Sequence, residues 1–458
     1  MAITIPLEKI NDYIKEIIQE RCIIKPCVSQ YVPDPKPIEC LATNINEGLA
    51  YLPLGIWKEI YDIFPMRTWP RANIECKKTL YTTQTDPTGK QRDQDVVAGH
   101  ALQKLEEDHR VFIAAATGYG KTSIGNYLAC HLKMKTAVLC HIDKVNEQWV
   151  EEFNTHSTAK VQRIKGTNFL DPNADVYIIG VQKASKLDRA QLAHIGTVIV
   201  DEAHIATLTA FSRSLLRFQP KYVIGMSATP ERSDGLQKLI TMYFGPRKGF
   251  IVREEVKDFT VYKVETIFKP EVRYILVNGV HILYWVHFIN SLAYNLKRQE
   301  YIVNLILSKP EHRILVLSDR QNECNGIVKK LSEAGEDSVL LMTGETNTAG
   351  IDTKNYRVIV AGMKKGGVGF NDPTLTMLIL ATDKKDVKQM EGRIRTTNNI
   401  IYDLVDANET LERHWETREQ WYRKRGAEIE VIRMPGRVLK KKGDSGIPQG
   451  VRFLKENK

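Results

Sequence analysis

Residues 110–123 read RVFIAAATGYGKTS, an apolar run that breaks into a two-glycine turn and then meets Lys121 and Thr122 at the head of the helical stretch SIGNYLACHL (123–132). A strand, a glycine turn and a helix in that order restrict the chain to a parallel α/β sheet, because the turn works only when a buried strand delivers it to a helix N-terminus. There, backbone N–H groups close around phosphate oxygens, Lys121 adds a mobile positive charge and Thr122 offers a hydroxyl to Mg²⁺. The full pattern has glycine at its first position, where Ala115 stands. Candidate nucleotide contacts are therefore Ala115, Ala116, Thr117, Gly118, Tyr119, Gly120, Lys121, Thr122 and Ser123.

A second apolar run, TVIV, leads into Asp201, Glu202, Ala203 and His204. In phosphate-loop proteins an acid ending a neighbouring strand holds Mg²⁺, and a second carboxylate beside it can polarise the attacking water. Asp201 fits the first role and Glu202 the second. The expected cofactors are ATP and Mg²⁺, with Thr122 and Asp201 as metal ligands.

Apolar runs alternate with helical stretches from Arg110 onward: RVFIAAA, TAVLCH, VYIIGV, TVIVDE and YVIGMSA, then RILVLS, VLLMT, YRVIVAG, MLILAT and IIYDLVD. QNECNGIVKKLSEAG and DVKQMEGRIR read as intervening helices. The fold class expected is α/β, two tandem doubly wound parallel-sheet domains with an N-terminal accessory domain. Residues 1–75, rich in scattered prolines, form the accessory domain, 76–250 the ATP-binding domain, 251–434 the second sheet domain and 435–458 a basic tail. The stretch 246–312 reads as a strand-containing connector and a helix without an assigned place.

Lys and Arg exceed Asp and Glu by ten over 458 residues, which favours a polyanionic partner. Seven irregularly spaced cysteines suit a reducing, intracellular setting, and no secretion signal precedes them. The most apolar region, Tyr274 to Tyr294, is interrupted by Asn278, Gly279, His281, His287 and Asn290, so no membrane partner is expected.

In order, the motifs resemble those of superfamily 2 helicases from Gln94 to about Gly426. AATGYGKTS is similar to motif I, LCHIDKVNEQW to motif Ia, GVQ (180–182) to the next strand-contacting motif, DEAH to motif II and SATPER to motif III. LVLSDR, LMTGET, AGMKKGGVGFN and QMEGRIR are similar to motifs IV to VI. SATPERSDG and the segment DLVDANETLERHWETREQWYRKRG most resemble the branch that holds phage UvsW, XPB and helicases of poxviruses and other large DNA viruses.

That resemblance implies an ATP-dependent DNA helicase or translocase with two tandem RecA-like domains, moving 3′ to 5′ in viral or phage-type repair, recombination or transcription. Single-stranded, forked or branched DNA and transcription or repair proteins are the implied partners, and the host cytoplasm or the virion the implied location. It assigns adenine reading to Gln94 and coupling of nucleotide to strand to His204 with Ser227, Ala228 and Thr229. Gly366, Gly367 and Gly369 would bring backbone close to phosphate, Gly369 to that of the nucleotide. In the second domain Gln389, Arg393 and Arg395 would face the γ-phosphate, Arg393 as the principal finger, since Thr396 stands where the second arginine is usual. Gln182, Lys183, Arg320, Lys364 and Lys365 are candidates for the nucleic-acid track. Competing readings are a duplex translocase that does not unwind, and a nucleic-acid-binding scaffold of a transcription complex.

Overall fold

The computed structural model describes residues 1–26, 36–65, 67–81, 93–116, 118–141, 143–166, 169–206, 214–228, 237–253, 258–277, 280–344, 346, 351–363, 366, 372, 374–393 and 399–437. Two compact units divide the chain, Met1–Glu254 and Glu255–Lys458.

Seven strands, all paired in parallel, make the first unit's main sheet. Across the sheet they run Ile251–Arg253, Arg110–Ala115, Tyr222–Ser227, Thr197–Val200, Thr136–Cys140, Val176–Gly180 and Val161–Ile164. The central strands read as unbroken apolar runs because both faces are covered. Successive side chains alternate between the faces: Phe112 and Ala114 enter one core, Val111, Ile113 and Ala115 the other. Helices Gln94–Asp108, Lys121–Leu132 and Asp143–His156 bury Leu105, Leu128 and Phe153 in the second core.

The first core is closed by the N-terminal residues. Ala2–Pro6, Leu49–Pro53 and Ala42–Asn44 form an antiparallel three-stranded sheet, and Ile3, Leu52 and Trp57 join Phe112, Tyr177 and Tyr243 in one apolar cluster. Trp57 Nε1 donates to the Asp108 carbonyl at 3.0 Å, and the Ala2 N–H to the Phe218 carbonyl at 2.8 Å.

The second unit repeats the architecture with seven parallel strands in the order Val339–Met342, Val358–Gly362, Ile314–Ser318, Met377–Leu380, Asn399–Val405, Phe259–Glu265 and Glu428–Arg433. The unassigned stretch resolves here. Phe259–Glu265 pairs on both sides inside the sheet, Tyr274–Val277 and Val280–Leu283 form a hairpin, and helices Trp285–Ala293 and Leu296–Leu307 follow. No helix among the described residues is long and apolar enough to cross a membrane. Of the residues 435–458 expected as a basic tail, 438–458 lie outside the described residues.

At the seam between N-terminal segment and sheet, His109 stacks on Phe64 with ring centroids 3.8 Å apart and lies 5.9 Å from Tyr222, its Nδ1 buried without a hydrogen-bond partner. Burial, with Lys221 and Lys58 nearby, pulls its pKa from the ordinary 6.5 down to about 4. The unfolded chain therefore binds one proton more than the folded chain between these values, and stability present above pH 6.5 is lost as pH falls toward 4. Melting temperatures taken across that window should drop toward acid, and less steeply for His109→Asn, which tolerates the positive φ of 60° at this position; equal slopes would remove His109 from the account.

Candidate nucleotide site

All parallel strands of a sheet present their carboxyl ends at one edge, so the loops after Ala115, Cys140, Gly180, Val200 and Ser227 gather there. The glycine turn follows Ala115. Gly118 and Gly120 take φ of +87° and +95°, and Gly120 caps the helix Lys121–Leu132. That left-handed backbone, and an Nε2 of Gln94 lying 2.2 Å from where a Cβ on Gly120 would sit, leave no room for another residue. Lys121 Nζ donates back to the carbonyls of Ala115 and Ala116 at 2.9 and 3.2 Å, spanning the turn. Ser123 Oγ accepts from Lys78 Nζ at 2.8 Å, while Thr122 is half-buried in the first turn.

Gln94 is 1% exposed beneath this turn. Its Nε2 donates to the Tyr119 carbonyl at 2.8 Å and its Oε1 accepts the Tyr81 N–H at 3.2 Å, so in this structure the amide braces the loop's backbone.

Asp201, 9% exposed, ends the strand Thr197–Val200. Oδ2 accepts the indole N–H of Trp149 at 2.8 Å and Oδ1 the backbone N–H of Glu202 at 2.9 Å. Burial, and then the charge of Glu202, push its carboxyl above the ordinary range, against the Trp149 hydrogen bond and the charge of Lys121. A buried carboxylate of this kind gains from a cation placed beside it. A hydroxyl such as that of Thr122 and a carboxylate such as that of Asp201 are the kind of hard oxygen donors that Mg²⁺ would take.

Glu202 has φ +46°, a left-handed conformation that L side chains rarely adopt and that marks a position held by its surroundings. Its Oε2 lies 3.5 Å from Ser227 Oγ and 3.4 Å from His204 Nδ1, and His204 Nδ1 meets Ser227 Oγ at 2.7 Å. Three expected residues from motifs II and III thus form one cluster, with Ser227 fully buried and Ala228 following at the strand end. Thr117 and Thr229 lie outside the described residues.

On the neighbouring strand ends Gln182 is exposed in the short helix Val181–Ala184, and Lys183 Nζ approaches the Gly166 carbonyl at 3.5 Å. In the second unit Arg320 precedes the helix Gln321–Glu333 at a strand's carboxyl end, its Nε buried without a hydrogen-bond partner. Lys364, Lys365, Gly367, Gly369 and Arg395 fall outside the described residues, as does the side chain of Gln389. Gly366 packs tightly on the sheet: a Cβ there would lie 2.6 Å from Leu317 Cδ2 and 2.7 Å from Ala361 Cβ, so its smallness serves packing.

The expected helix over DVKQMEGRIR is shorter than its sequence suggests. It spans Lys388–Glu391, stops at Gly392, and leaves Arg393 8% exposed in the turn beyond; glycine's backbone freedom makes it a poor helix interior. The segment is held by residues of the 403–426 stretch to which the motifs assign no individual role. Arg425 Nε pairs with Glu391 Oε2 at 3.3 Å, and Trp421 lies between Lys388 and Arg425, 5.2 and 5.7 Å from its ring. Upstream, Arg418 Nη1 holds Asp383 at 2.7 Å and its Nε holds Asp403 at 2.8 Å.

Trp149 also carries no motif signal of its own beyond ending LCHIDKVNEQW. Trp149→Phe keeps an aromatic ring in the core but removes the donor to Asp201, a bond to a charged acceptor worth about 1.5–3 kcal/mol, together with part of the ring packed against Gly125. The Mg²⁺ concentration giving half-maximal ATP turnover should shift by roughly tenfold, whereas an unchanged Mg²⁺ dependence would show that the indole does not orient the carboxylate.

Comparison with known proteins places these residues in a lineage. Residues 84–232 match the family model described as type III restriction enzyme, res subunit. The chain is 30% identical over 430 residues to "Putative helicase 161L" of Invertebrate iridescent virus 6, covering 87% of this chain and 93% of that protein. It is 25% identical over 358 residues to "Putative ATP-dependent RNA helicase L396" of Acanthamoeba polyphaga mimivirus, covering 74% and 68%. Among solved structures, S. cerevisiae Dbp5 bound to RNA and ADP BeF3 shares the fold at a TM-score of 0.50 and 14% identity, over 74% of this chain and 89% of that one. With two RecA-like sheets and 430 aligned residues in common with a viral relative, the chain belongs to helicase superfamily 2, alongside the helicases of large DNA viruses.

Proposed function

We propose that this helicase hydrolyses ATP at the glycine turn of the first unit and uses the cycle to move 3′ to 5′ along DNA, separating or remodelling strands. The observation that carries the reading is the meeting of Lys121, Asp201 and the Glu202–His204–Ser227 cluster at one sheet edge. Each member has a task that its chemistry supports. The loop N–H groups and Lys121 receive the β- and γ-phosphates, which requires Lys121 to leave the carbonyls of Ala115 and Ala116. Thr122 and Asp201 would hold Mg²⁺, which when bound neutralises charge that builds on the phosphate oxygens.

Glu202 is the base that takes a proton from the attacking water. The bond network from its Oε2 to Ser227 and His204 makes its orientation depend on the end of the strand Tyr222–Ser227. This is a physical route by which the segment after Ser227 registers the nucleotide state. By the same resemblance Arg393 is the charge that stabilises the transferring phosphoryl group, and Gln182, Lys183 and Arg320 contribute to the strand track. DNA as the track rests on the resemblance of SATPERSDG and the 403–426 segment to the UvsW and XPB branch. A second reading, RNA as the track, is favoured by the mimivirus relative's description as an RNA helicase.

ATP turnover measured alone and with single-stranded DNA, duplex DNA, forked DNA and RNA separates these readings. DNA should stimulate most, with log affinity falling linearly in log salt concentration as counterions are released; preferential stimulation by RNA would transfer the reading to an RNA motor. Lys121→Ala should cut turnover by roughly a hundredfold or more, and Glu202→Gln should slow hydrolysis by a similar factor while ATP still binds. Turnover in either variant within a few-fold of the parent would remove that residue from its role.

A further inference from the structure

Asp93 stands just before the helix Gln94–Asp108, where an aspartate ordinarily turns its carboxylate onto the helix's first free N–H groups. It makes no such cap. Oδ1 instead accepts the hydroxyl of Tyr119, and Oδ1 and Oδ2 accept from Arg253 Nε at 3.2 and 2.9 Å. Tyr119 is the residue between the two positive-φ glycines of the phosphate loop, and its ring is almost wholly buried.

Arg253 ends the edge strand Ile251–Arg253, which pairs with the loop's own strand in the register Ile251 to Ile113 and Arg253 to Ala115. Its carbonyl accepts the N–H of Ala116 at 3.1 Å, and beyond it the chain leaves for the second unit. Three separated stretches of sequence therefore meet on one carboxylate: the residue before a helix, the middle of the loop, and the last strand of the unit.

We propose that Asp93, Tyr119 and Arg253 form a latch that holds the phosphate loop in its nucleotide-receiving shape and ties that shape to the segment leading out of the first unit. The inference rests on reading the loop as the ATP site. Glycines at 118 and 120 give the free loop many backbone states, so a receptive arrangement of its N–H groups must be imposed from outside. The Tyr119 hydroxyl fixes the loop's middle and the Arg253 carbonyl fixes its start. A loop ordered in advance loses less entropy when the phosphates arrive, so the three side chains act on nucleotide affinity. They are positioning residues, since none need touch the reacting atoms.

The test compares Tyr119→Phe, which removes one oxygen and leaves the ring packed, with Arg253→Lys, which keeps the charge and loses the Nε contacts, and with the double variant. The full-length proteins are assayed for ATP KM and kcat and for the Kd of a fluorescent ADP. Each single change should raise KM and Kd about tenfold while lowering kcat much less, and the double should be little worse than either single, because both act through Asp93. Tyr119→Phe alone decides the matter if Arg253→Lys melts early. KM and Kd within twofold of the parent, or losses that multiply in the double variant, would overturn the latch. A parent protein that neither binds ADP nor turns over ATP would instead overturn the ATP-site reading.

Discussion

Asp201 carries a charge that burial disfavours, at the end of a strand whose neighbours all end at the same edge. Its position is possible because Trp149 and the Glu202 N–H supply hydrogen bonds and Lys121 supplies opposite charge. These compensations are partial, since the carboxyl remains pushed above its ordinary range. The site therefore has an electrostatic demand that a cation beside it would meet, and around Asp201 stand the left-handed backbone of Glu202, the glycine turn with Lys121, and the Ser227–His204 pair.

The second unit solves the same problem of buried charge with arginines. Arg298, 1% exposed, donates from Nε to Asp406 at 3.0 Å and from Nη1 to Glu323 at 2.5 Å, while Ser318 and Thr382 bond Glu323 in turn. Burial opposes its charge, and Asp406 and Glu323 more than offset that opposition. Arg418 performs the same service for Asp383 and Asp403. Arg298 joins the helix Gln321–Glu333 to the residue after the strand Asn399–Val405, and Arg418 joins that strand to the segment after Met377–Leu380. Breaking such a pair leaves a buried charge uncompensated, which is far more costly than the net worth of the pair itself. The two arginines also hold the segment after Met377–Leu380 through the carbonyls of Ala381 and Lys384.

Much of this was legible in the chain because its determinants are local. Central parallel strands are continuous apolar runs, so RVFIAAA, TVIV and RILVLS mark themselves, and Lys121, Asp201, Glu202 and Ser227 are fixed by their places at the ends of such runs. Phe259–Glu265 and Glu428–Arg433 gave weaker signals. The first carries Thr260, Tyr262 and Lys263 among its apolar residues, and the second is an edge strand with exposed Glu428, Glu430 and Val431. Asp93, Trp149 and Arg253 were invisible as a group because what joins them to the site is tertiary contact across 26 to 160 positions of sequence. The motif VI helix misled because a helical pattern of side chains carries across Gly392 although the backbone does not.

The central claim is that the glycine turn, with Lys121 and Asp201, is where nucleotide and metal dock. A crystal structure of the protein with Mg²⁺ and a non-hydrolysable ATP analogue tests it most directly. Lys121 Nζ should then be drawn off the Ala115 and Ala116 carbonyls onto the β- and γ-phosphates, with Thr122 and Asp201 facing the metal and Trp149 still bonded to Asp201. An analogue bound elsewhere, with Lys121 still on those carbonyls, would contradict it.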